Sequence, residues 1–202
     1  MLHRLGTVES TQLEARDLPL GSVVVADHQT AGRGRLDRSW EAPPGTGLFV
    51  TFVLEPTPVV AFAAGVAAAE ACGKGVKVKW PNDLMLRDRK LGGILAEIRR
   101  NHALVGIGIN LTWAPRGAAR LGEDRDALLD RLRPLVTRWT AAEPGAVMVR
   151  WRELSWLLGH PVRVELGGEV IEGIARDIDR DGALLVDGRR VIAGDVTRIR
   201  RA

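Results

Sequence analysis

Apolar residues in the first 111 positions form short runs of strand length, with one longer run among them. The short runs either alternate with polar residues or are apolar throughout, as in buried strands. They predict strands over 2–8, 22–26, 47–54, 76–80, 84–86, 90–98 and 102–111, of which the fifth and sixth form a hairpin. The longer, alanine-rich run over 58–72 is apolar on nearly all sides, which predicts a buried helix. A short helix capped by Ser10 or Thr11 is expected to reach Arg16.

From residue 123 onward the apolar spacing changes twice. Leucines, Val136 and Trp139 recur every three or four residues, which predicts helices over 123–141 and 145–158. After Gly159 the spacing drops to two, and short strands separated by glycine-containing turns follow. The pattern therefore predicts an α+β domain over 1–158 followed by a small β-barrel over 159–202.

Composition narrows the class of protein. Apolar residues make up 46% of the chain and charged residues 27%, which is typical of a water-soluble globular protein. The net charge is only +4 and the arginines are spread along the chain, which argues against a DNA-binding face. The longest apolar run, 59–72, is shorter than the ~20 residues that span a membrane. With a lone Cys72 and no signal-peptide pattern, we expect a cytoplasmic protein.

A loop rich in glycine and arginine follows the strand over 22–26. It reads Gln29-Thr30-Ala31-Gly32-Arg33-Gly34-Arg35, with Arg38 and Trp40 close behind. Glycine lets backbone N–H groups approach an anion, and arginine recognises phosphate or carboxylate with two parallel hydrogen bonds. The loop has neither the Walker nor the Rossmann spacing. Taken alone, it fits an anion site and a flexible surface turn equally well.

Lysine is rare and clustered. Of the 29 Lys and Arg residues only four are Lys, and Lys77, Lys79 and Lys90 lie close together in the chain. Asn82 and Asp83 lie between them, where Asp83 could hold Mg²⁺ against a triphosphate. A simple Asx-turn after a strand explains the same two residues. Further on, the run Gly106-x-Gly108-x-Asn110 puts small residues on one strand face, which indicates a close approach by a ligand or by a neighbouring part of the fold.

Together these segments resemble one family. Ser10-Thr11-Gln12, the Gly/Arg loop with Arg38 and Trp40, Lys79-Trp80-Pro81-Asn82-Asp83, Lys90-Leu91-Gly92-Gly93 and Gly106-x-Gly108-x-Asn110 occur in the order found in biotin–protein ligases. The resemblance extends over essentially the whole chain. It implies an α+β fold in which a mixed β-sheet flanked by helices, the class II synthetase-like or biotin–lipoate ligase fold, is followed by an SH3-like barrel. It also implies a two-step reaction: biotin and ATP form biotinyl-5′-AMP and pyrophosphate, and biotin is then transferred to a carrier lysine.

The resemblance assigns roles to individual residues. Those implied to contact biotin are Ser10, Thr11, Gln12, Gln29, Arg33, Gly34, Arg35, Lys90 and Gly93. Those implied to contact ATP are Arg35, Arg38, Trp40, Asn82, Asp83, Lys90 and Asn110, with Asp83 also holding Mg²⁺. Lys90 and Arg35 are the implied catalytic residues. Arg38 is expected to reach the pyrophosphate side and Trp40 to pack on the closed loop.

Some positions depart from the family pattern. Asp37 stands where glycine is common, and Trp113 is expected to stack on adenine in a segment shorter than in some relatives. A C-terminal arginine, either Arg198 or Arg200, is expected to touch the nucleotide. Because no winged helix precedes the first strand, we expect a ligase that does not bind DNA. The resemblance implies that the partner is a biotin carboxyl carrier protein, and Leu2–Val8 or the strand at 103–111 could pair in a homodimer.

Three other functions fit parts of the sequence. A lipoate or octanoyl ligase or transferase would share the fold, but the polar Ser10-Thr11-Gln12 segment suits a ureido ring better than an alkyl chain. A non-catalytic adenylate-binding module would not need both Lys90 and Arg35. A nucleic-acid-binding domain with a small barrel would be expected to interleave aromatic and basic residues, which this chain does not.

Overall fold

The computed structural model describes residues 1–36, 38–99 and 101–199. A seven-stranded sheet forms the first part, in the spatial order β1-β2-β3-β7-β6-β5-β4. Only β1 and β2 are parallel. The strands are β1 (Leu2–Val8), β2 (Val23–Gln29), β3 (Gly47–Leu54), β4 (Val76–Lys79), β5 (Asp83–Leu86), β6 (Arg89–Arg99) and β7 (His102–Asn110).

Helices cover the two faces of this sheet unequally. The longer ones are α2 (Val60–Cys72), α3 (Arg125–Thr140) and α4 (Pro144–Leu154), and α2 contacts the sheet, α3 and α4. Since α2 is enclosed from several sides, it carries no polar face, and alanines let its neighbours approach closely. On the opposite face of the sheet, the one helix in the described part of the chain is the short α1 (Thr11–Glu14), which leaves room for a cleft.

The second part is a five-stranded antiparallel sheet, in the order β11-β10-β9-β8-β12. Its strands are β8 (Pro161–Leu166), β9 (Glu169–Ile178), β10 (Leu184–Val186), β11 (Arg189–Val191) and β12 (Asp195–Arg198). Most buried apolar residues of both parts belong to one cluster, and Ala15, Val24, Val53 and Leu104 form a second, smaller one. Polar contacts also join them: the indole Nε1 of Trp80 donates to the carbonyl of Gly182 at 2.8 Å, and Arg152 pairs with Asp177 at 2.6 Å.

The sequence predictions hold for every predicted element, with shifted ends. The largest difference is that α4 ends at Leu154 and not at 158, because Ser155 is extended and forms a bridge with Val78 of β4. Trp156, which the apolar spacing predicts on a helix, therefore lies beyond it, and its backbone N–H donates to the Val78 carbonyl at 2.7 Å. The predicted α1 reaches only Glu14. The domain boundary at 158 stays a prediction.

The β5–β6 hairpin turns at Arg87 and Asp88, which both have positive φ, at 50° and 61°. That conformation matches the twist of a two-residue hairpin turn. None of the helices in the described part of the chain has the length and apolar character needed to cross a membrane.

Candidate active site

One cleft collects nearly all of the predicted site residues. It lies on the sheet face that carries α1 and is bordered by loop 29–40, by turn 80–83 and by the start of β12. Its empty volume is about 930 Å³, solvent at the mouth included. From the predicted set, the lining includes Ser10, Thr11, Gln12, Gln29, Arg33, Gly34, Arg35, Arg38, Trp40, Asn82, Asp83, Lys90 and Gly93.

Uncharged polar side chains line one end of the cleft. Ser10 caps α1, where its hydroxyl oxygen accepts from the Gln12 backbone N–H at 3.3 Å. The Thr11 backbone N–H and hydroxyl both donate to Oε1 of Gln29, at 2.8 and 2.9 Å. Thr51 of β3 is fully buried and donates its hydroxyl to Thr11 at 2.9 Å. This end is thus held in place by the fold alone.

The side-chain amide nitrogen of Gln12 has hydrogen-bond partners, whereas its side-chain oxygen has none among the described residues. Its Nε2 donates to the Leu95 carbonyl at 2.9 Å and to the Leu104 carbonyl at 3.4 Å. Its Oε1 is buried and has no hydrogen-bond partner in the part of the chain that the structure describes. A buried acceptor without a partner is costly, so Gln12 is prepared for a donor from outside the chain.

Two glycines form the floor of the cleft. Gly93 of β6 and Gly108 of β7 lie opposite each other in the sheet, and the Trp40 indole lies over both. A Cβ atom at Gly108 would come within 3.0 Å of that indole. The indole Nε1 of Trp40 is buried without a partner among the described residues. A side chain at Gly108 would therefore press on Trp40, whereas a Cβ at Gly93 would meet the indole at 3.7 Å, an ordinary contact.

Arginines fasten the Gly/Arg loop to neighbouring elements. Arg33 pairs with Glu97 of β6 at 3.3 Å, and Arg35 donates to the Asn82 side-chain oxygen at 3.4 Å. Within the loop, the Gly34 backbone N–H donates to the Arg38 carbonyl at 2.7 Å. Asp37, the position at which the chain departs from the family pattern, lies outside the described residues.

Charged side chains line the other end. Lys90 pairs with Asp83 at 2.7 Å, and Lys79 lies 4.0 Å from the second oxygen of the same carboxylate. Lys90 also lies 5.6 Å from the centre of the Trp40 ring, within the range of a cation–π contact. Burial lowers the pKa of Lys79. The negative charge of Asp83 raises this pKa, and the positive charge of Lys90 lowers it further. Arg38 reaches across to Asp195 of β12, whose hydrogen bond and charge raise the Arg38 pKa.

The structure does not bring every predicted residue into the cleft. Asn110 is buried outside the lining, where its amide donates to the Ala119 carbonyl at 3.0 Å, so its contact with ATP stays a prediction. Trp113 lies in a separate hollow beside Arg87, Arg89 and Arg120. Of the two C-terminal arginines, Arg198 lies 3.9 Å from the centre of the Trp156 ring. Arg200 lies outside the described residues.

The polar residues that sequence reasoning missed include Asp195, which lines the cleft, and Thr51, which is buried and donates to Thr11. Asp195 comes from the barrel, and no motif marks it. Thr51 carries a readable signal, since it is the one hydroxyl in the otherwise apolar strand Gly47–Leu54. Trp80 of the Lys79–Asp83 motif lines the cleft but is only 1% exposed and is held in the contact between the two sheets.

The chain matches two family models. One describes the biotin/lipoate A/B protein ligase family and covers residues 5–112, which is more than half of the chain. The other describes the C-terminal domain of biotin protein ligases and covers residues 157–197. The chain belongs to the biotin/lipoate A/B protein ligase family. The resemblance inferred from the five motifs is confirmed.

Several curated relatives share much of its length. The biotin–[acetyl-CoA-carboxylase] ligase of Mycobacterium tuberculosis is 36% identical, over 89% of this chain and 80% of its own. The enzyme of that name from Paracoccus denitrificans is 33% identical, over 91% and 93%. The bifunctional ligase/repressor of Escherichia coli is 32% identical, and the chain spans 64% of its length.

Solved structures confirm the fold. The biotin protein ligase from Aquifex aeolicus, in complex with biotin and ATP, superposes with a TM-score of 0.85 at 26% identity, over 99% of both chains. The biotin acetyl coenzyme A carboxylase synthetase from Helicobacter pylori gives 0.73 at 21% identity and so supports the fold alone. The predicted mixed sheet with flanking helices and a C-terminal SH3-like barrel is confirmed.

Proposed function

We propose that the chain is a biotin–protein ligase, which forms biotinyl-5′-AMP from biotin and ATP and then biotinylates a lysine of a carrier protein. Relatives of similar length bear the name biotin–[acetyl-CoA-carboxylase] ligase, and the Aquifex relative binds both biotin and ATP. The observation that carries the proposal is the division of the cleft into an uncharged polar end and a cationic end. Biotin pairs an uncharged ureido ring with a carboxylate, so it matches that division.

The uncharged end suits the ureido ring. The ring offers N–H donors and one carbonyl acceptor, whereas a saturated hydrocarbon offers neither. The unpartnered Oε1 of Gln12 would accept from a ureido N–H, which removes the cost of leaving this oxygen buried and unpaired. Thr11 and Ser10 supply further polar groups next to it.

The cationic end suits the first chemical step. A carboxylate oxygen of biotin attacks the α-phosphorus of ATP, and the bond from that phosphorus to the bridging oxygen of pyrophosphate breaks. The two reactants repel each other because both are anionic. Lys90 and Arg35 would offset this repulsion at the reacting atoms, and Arg38 would act at the pyrophosphate side. Fixed cations aimed at developing charge are among the strongest catalytic devices in enzymes.

Asp83 is the residue we propose for Mg²⁺. Mg²⁺ commonly takes one or two protein carboxylates and completes its shell with phosphate oxygens and water. No cluster of three or more metal-ligating side chains occurs among residues 1–36, 38–99 and 101–199, so the nucleotide would have to supply the other ligands. When bound, the ion would neutralise phosphate charge. Lys90 would turn from Asp83 towards the substrates.

In the second step the neutral amine of a carrier lysine attacks the acyl carbon of biotinyl-AMP. AMP leaves with the bonding electrons, and the new amide loses its proton to solvent. Mixed anhydrides react with water, so closure of the Gly/Arg loop would protect the intermediate. We propose a biotin carboxyl carrier protein as the acceptor and, because ATP is consumed, the cytoplasm as the location. We propose that a homodimer would form by pairing of β1, which lies at an edge of the sheet. The alternative strand at 103–111 is wrong for edge pairing, because β7 lies between β3 and β6.

A lipoate ligase is the main competing function, since the family includes lipoate enzymes. The hydrogen-bonding groups around Gln12 favour biotin, because an alkyl chain would leave its Oε1 unpaired. The test is exchange of labelled pyrophosphate into ATP, measured with biotin, lipoate and octanoate in turn. We expect exchange with biotin alone. Exchange with lipoate at a higher kcat/KM would contradict the proposal, and exchange with none of the three would indicate a non-catalytic module.

A further inference from the structure

The barrel contributes a carboxylate to the cleft. Asp195 and Val196, at the start of β12, are the barrel residues that line it in the described part of the chain. Asp195 forms an ion pair and a hydrogen bond with Arg38, which lies in the loop before β3. A residue of the C-terminal part thus restrains a cation that the proposed function puts next to pyrophosphate.

This carboxylate lies among groups that attract phosphate. Lys79 is close enough that Asp195 and Arg38 both influence its pKa, in opposite directions, and Lys90 and Asp83 lie beside Lys79. An anion at this position has two effects on an incoming triphosphate. It repels the phosphate charge, and it occupies the donors of Arg38 that a phosphate would use.

The pair is built to exchange partners. The Arg38 side chain is 63% exposed and the Asp195 side chain 48%. Ion pairs with this exposure contribute little to stability, because water and salt screen them. A carboxylate therefore holds the guanidinium only weakly, and a pyrophosphate group with several negative charges can displace it. By contrast, a deeply buried pair would resist exchange because its charges would have to separate in a poorly solvated site.

We propose that Asp195 is a positioning residue that holds Arg38 at the mouth of the cleft, releases it to the pyrophosphate end of the nucleotide, and takes it back as pyrophosphate leaves. The inference rests on the proposed function, which gives Arg38 its phosphate partner. The carboxylate competes with phosphate, so its charge weakens binding of both ATP and pyrophosphate. Its effect is to ease product release and to link occupancy of the nucleotide site to the barrel.

The experiment compares Asp195→Asn with the wild-type chain. Asparagine keeps the shape and removes the charge, and Asp195→Ser serves as a second variant. Calorimetric titration with inorganic pyrophosphate, without biotin, measures the binding directly. We expect affinity for pyrophosphate to rise about two- to fivefold, as exchange of a weak surface pair allows. The KM for ATP should fall by a similar factor, whereas the KM for biotin should not change.

Two controls separate positioning from a general change of charge. Glu172→Gln removes a carboxylate from an ion pair with Arg163 elsewhere in the barrel, at 3.2 Å, and should leave pyrophosphate affinity unchanged. In an Arg38→Ala background, Asp195→Asn should lose most of its effect, because the residue that it positions is gone. If Asp195→Asn raised the affinity for pyrophosphate as much in the Arg38→Ala background as in the wild type, the inference would be overturned.

Unchanged or weaker pyrophosphate binding in Asp195→Asn would also overturn it, as would failure of both proteins to bind pyrophosphate. Weaker binding would mean that Asp195 prepares Arg38 for phosphate. These outcomes are independent of the reaction itself. A wild-type chain without biotin-dependent pyrophosphate exchange refutes the proposed function, whereas the titration judges Asp195 even then.

Discussion

The two ends of the cleft differ in burial and in how their polar groups are paired. At the uncharged end, Gln12 is 4% exposed, Thr51 is fully buried, and each is hydrogen-bonded to a neighbouring element. At the cationic end, the Lys90 side chain is 44% exposed, and it pairs with a carboxylate of the same site. The fold therefore fixes the neutral end in advance, whereas the charged end keeps its partners exchangeable.

Desolvation explains the difference. A neutral hydroxyl or amide can be buried at low cost if neighbouring groups satisfy its hydrogen bonds. A charge buried without a partner costs several kcal/mol, so cations that await an anion must stay near water or hold a temporary counter-ion. Asp83 and Asp195 fill this role for Lys90 and Arg38. We infer that nucleotide binding at this end is an exchange of partners, whereas biotin binding at the other end fills a preformed site.

Loss of Lys90 should give the largest effect. Lys90→Ala removes the ammonium proposed to lie between the biotin carboxylate and the α-phosphate. We expect biotin-dependent pyrophosphate exchange to fall by about 10²–10³ in kcat, the range for loss of one group that stabilises developing charge. Exposed Lys74 provides the matched control, and Lys74→Ala should keep wild-type exchange. Near wild-type exchange in Lys90→Ala would remove Lys90 from the reaction.

A change at Gly106 tests the neutral end and should have a smaller effect. A Cβ at Gly106 would lie 3.3 Å from Nε2 of Gln12, so Gly106→Val must shift a side chain that the sheet holds in place. We expect the KM for biotin to rise about tenfold, the upper range for displacement of one neutral hydrogen bond. The KM for ATP should stay unchanged.

Gly6→Val is the control for this variant, because Gly6 also lies in a strand and a Cβ there meets nothing within 4 Å. It should leave both KM values unchanged. An equal rise of both KM values in Gly106→Val would mean that the two ends are not independent, and the comparison between them would be wrong.

The sequence predicts the features that local segments encode, and it does not predict those that depend on long-range packing. Periodicity predicts each helix and strand, because burial of one face leaves a regular pattern in the sequence. The motifs predict those cleft residues that lie close together along the chain. Asp195 could not be found in this way. Its role depends on how the barrel packs on the sheet, through contacts such as Trp80 to Gly182, and long-range packing leaves no local pattern.

Asn110 has a structural partner that the sequence did not indicate. Its position at the end of β7 and its motif predict a ligand contact, which stays a prediction, and its amide also donates to the Ala119 carbonyl. A polar residue at a strand end serves a connecting segment as readily as a substrate, and spacing alone does not distinguish the two.

The smallest predicted effect concerns Lys79, the most desolvated cation of the charged end. Burial lowers its pKa from 10.5, so between the lowered value and 10.5 the unfolded chain binds more protons than the folded one. The free energy of unfolding contributed by Lys79 therefore rises with pH in this window, by at most ~1.4 kcal/mol per pH unit. Burial raises the pKa of Cys72 from 9.0 to about 12, which acts in the opposite direction above 9.0 but is common to wild type and variant.

Urea unfolding from neutral pH upwards measures the free energy of unfolding of wild type and Lys79→Met. The difference between the two free energies should grow with pH, whereas the difference between wild type and exposed Lys74→Met should stay flat. A flat difference for Lys79→Met would mean that Lys79 is as well solvated as Lys90, and the contrast in desolvation within the charged end would disappear.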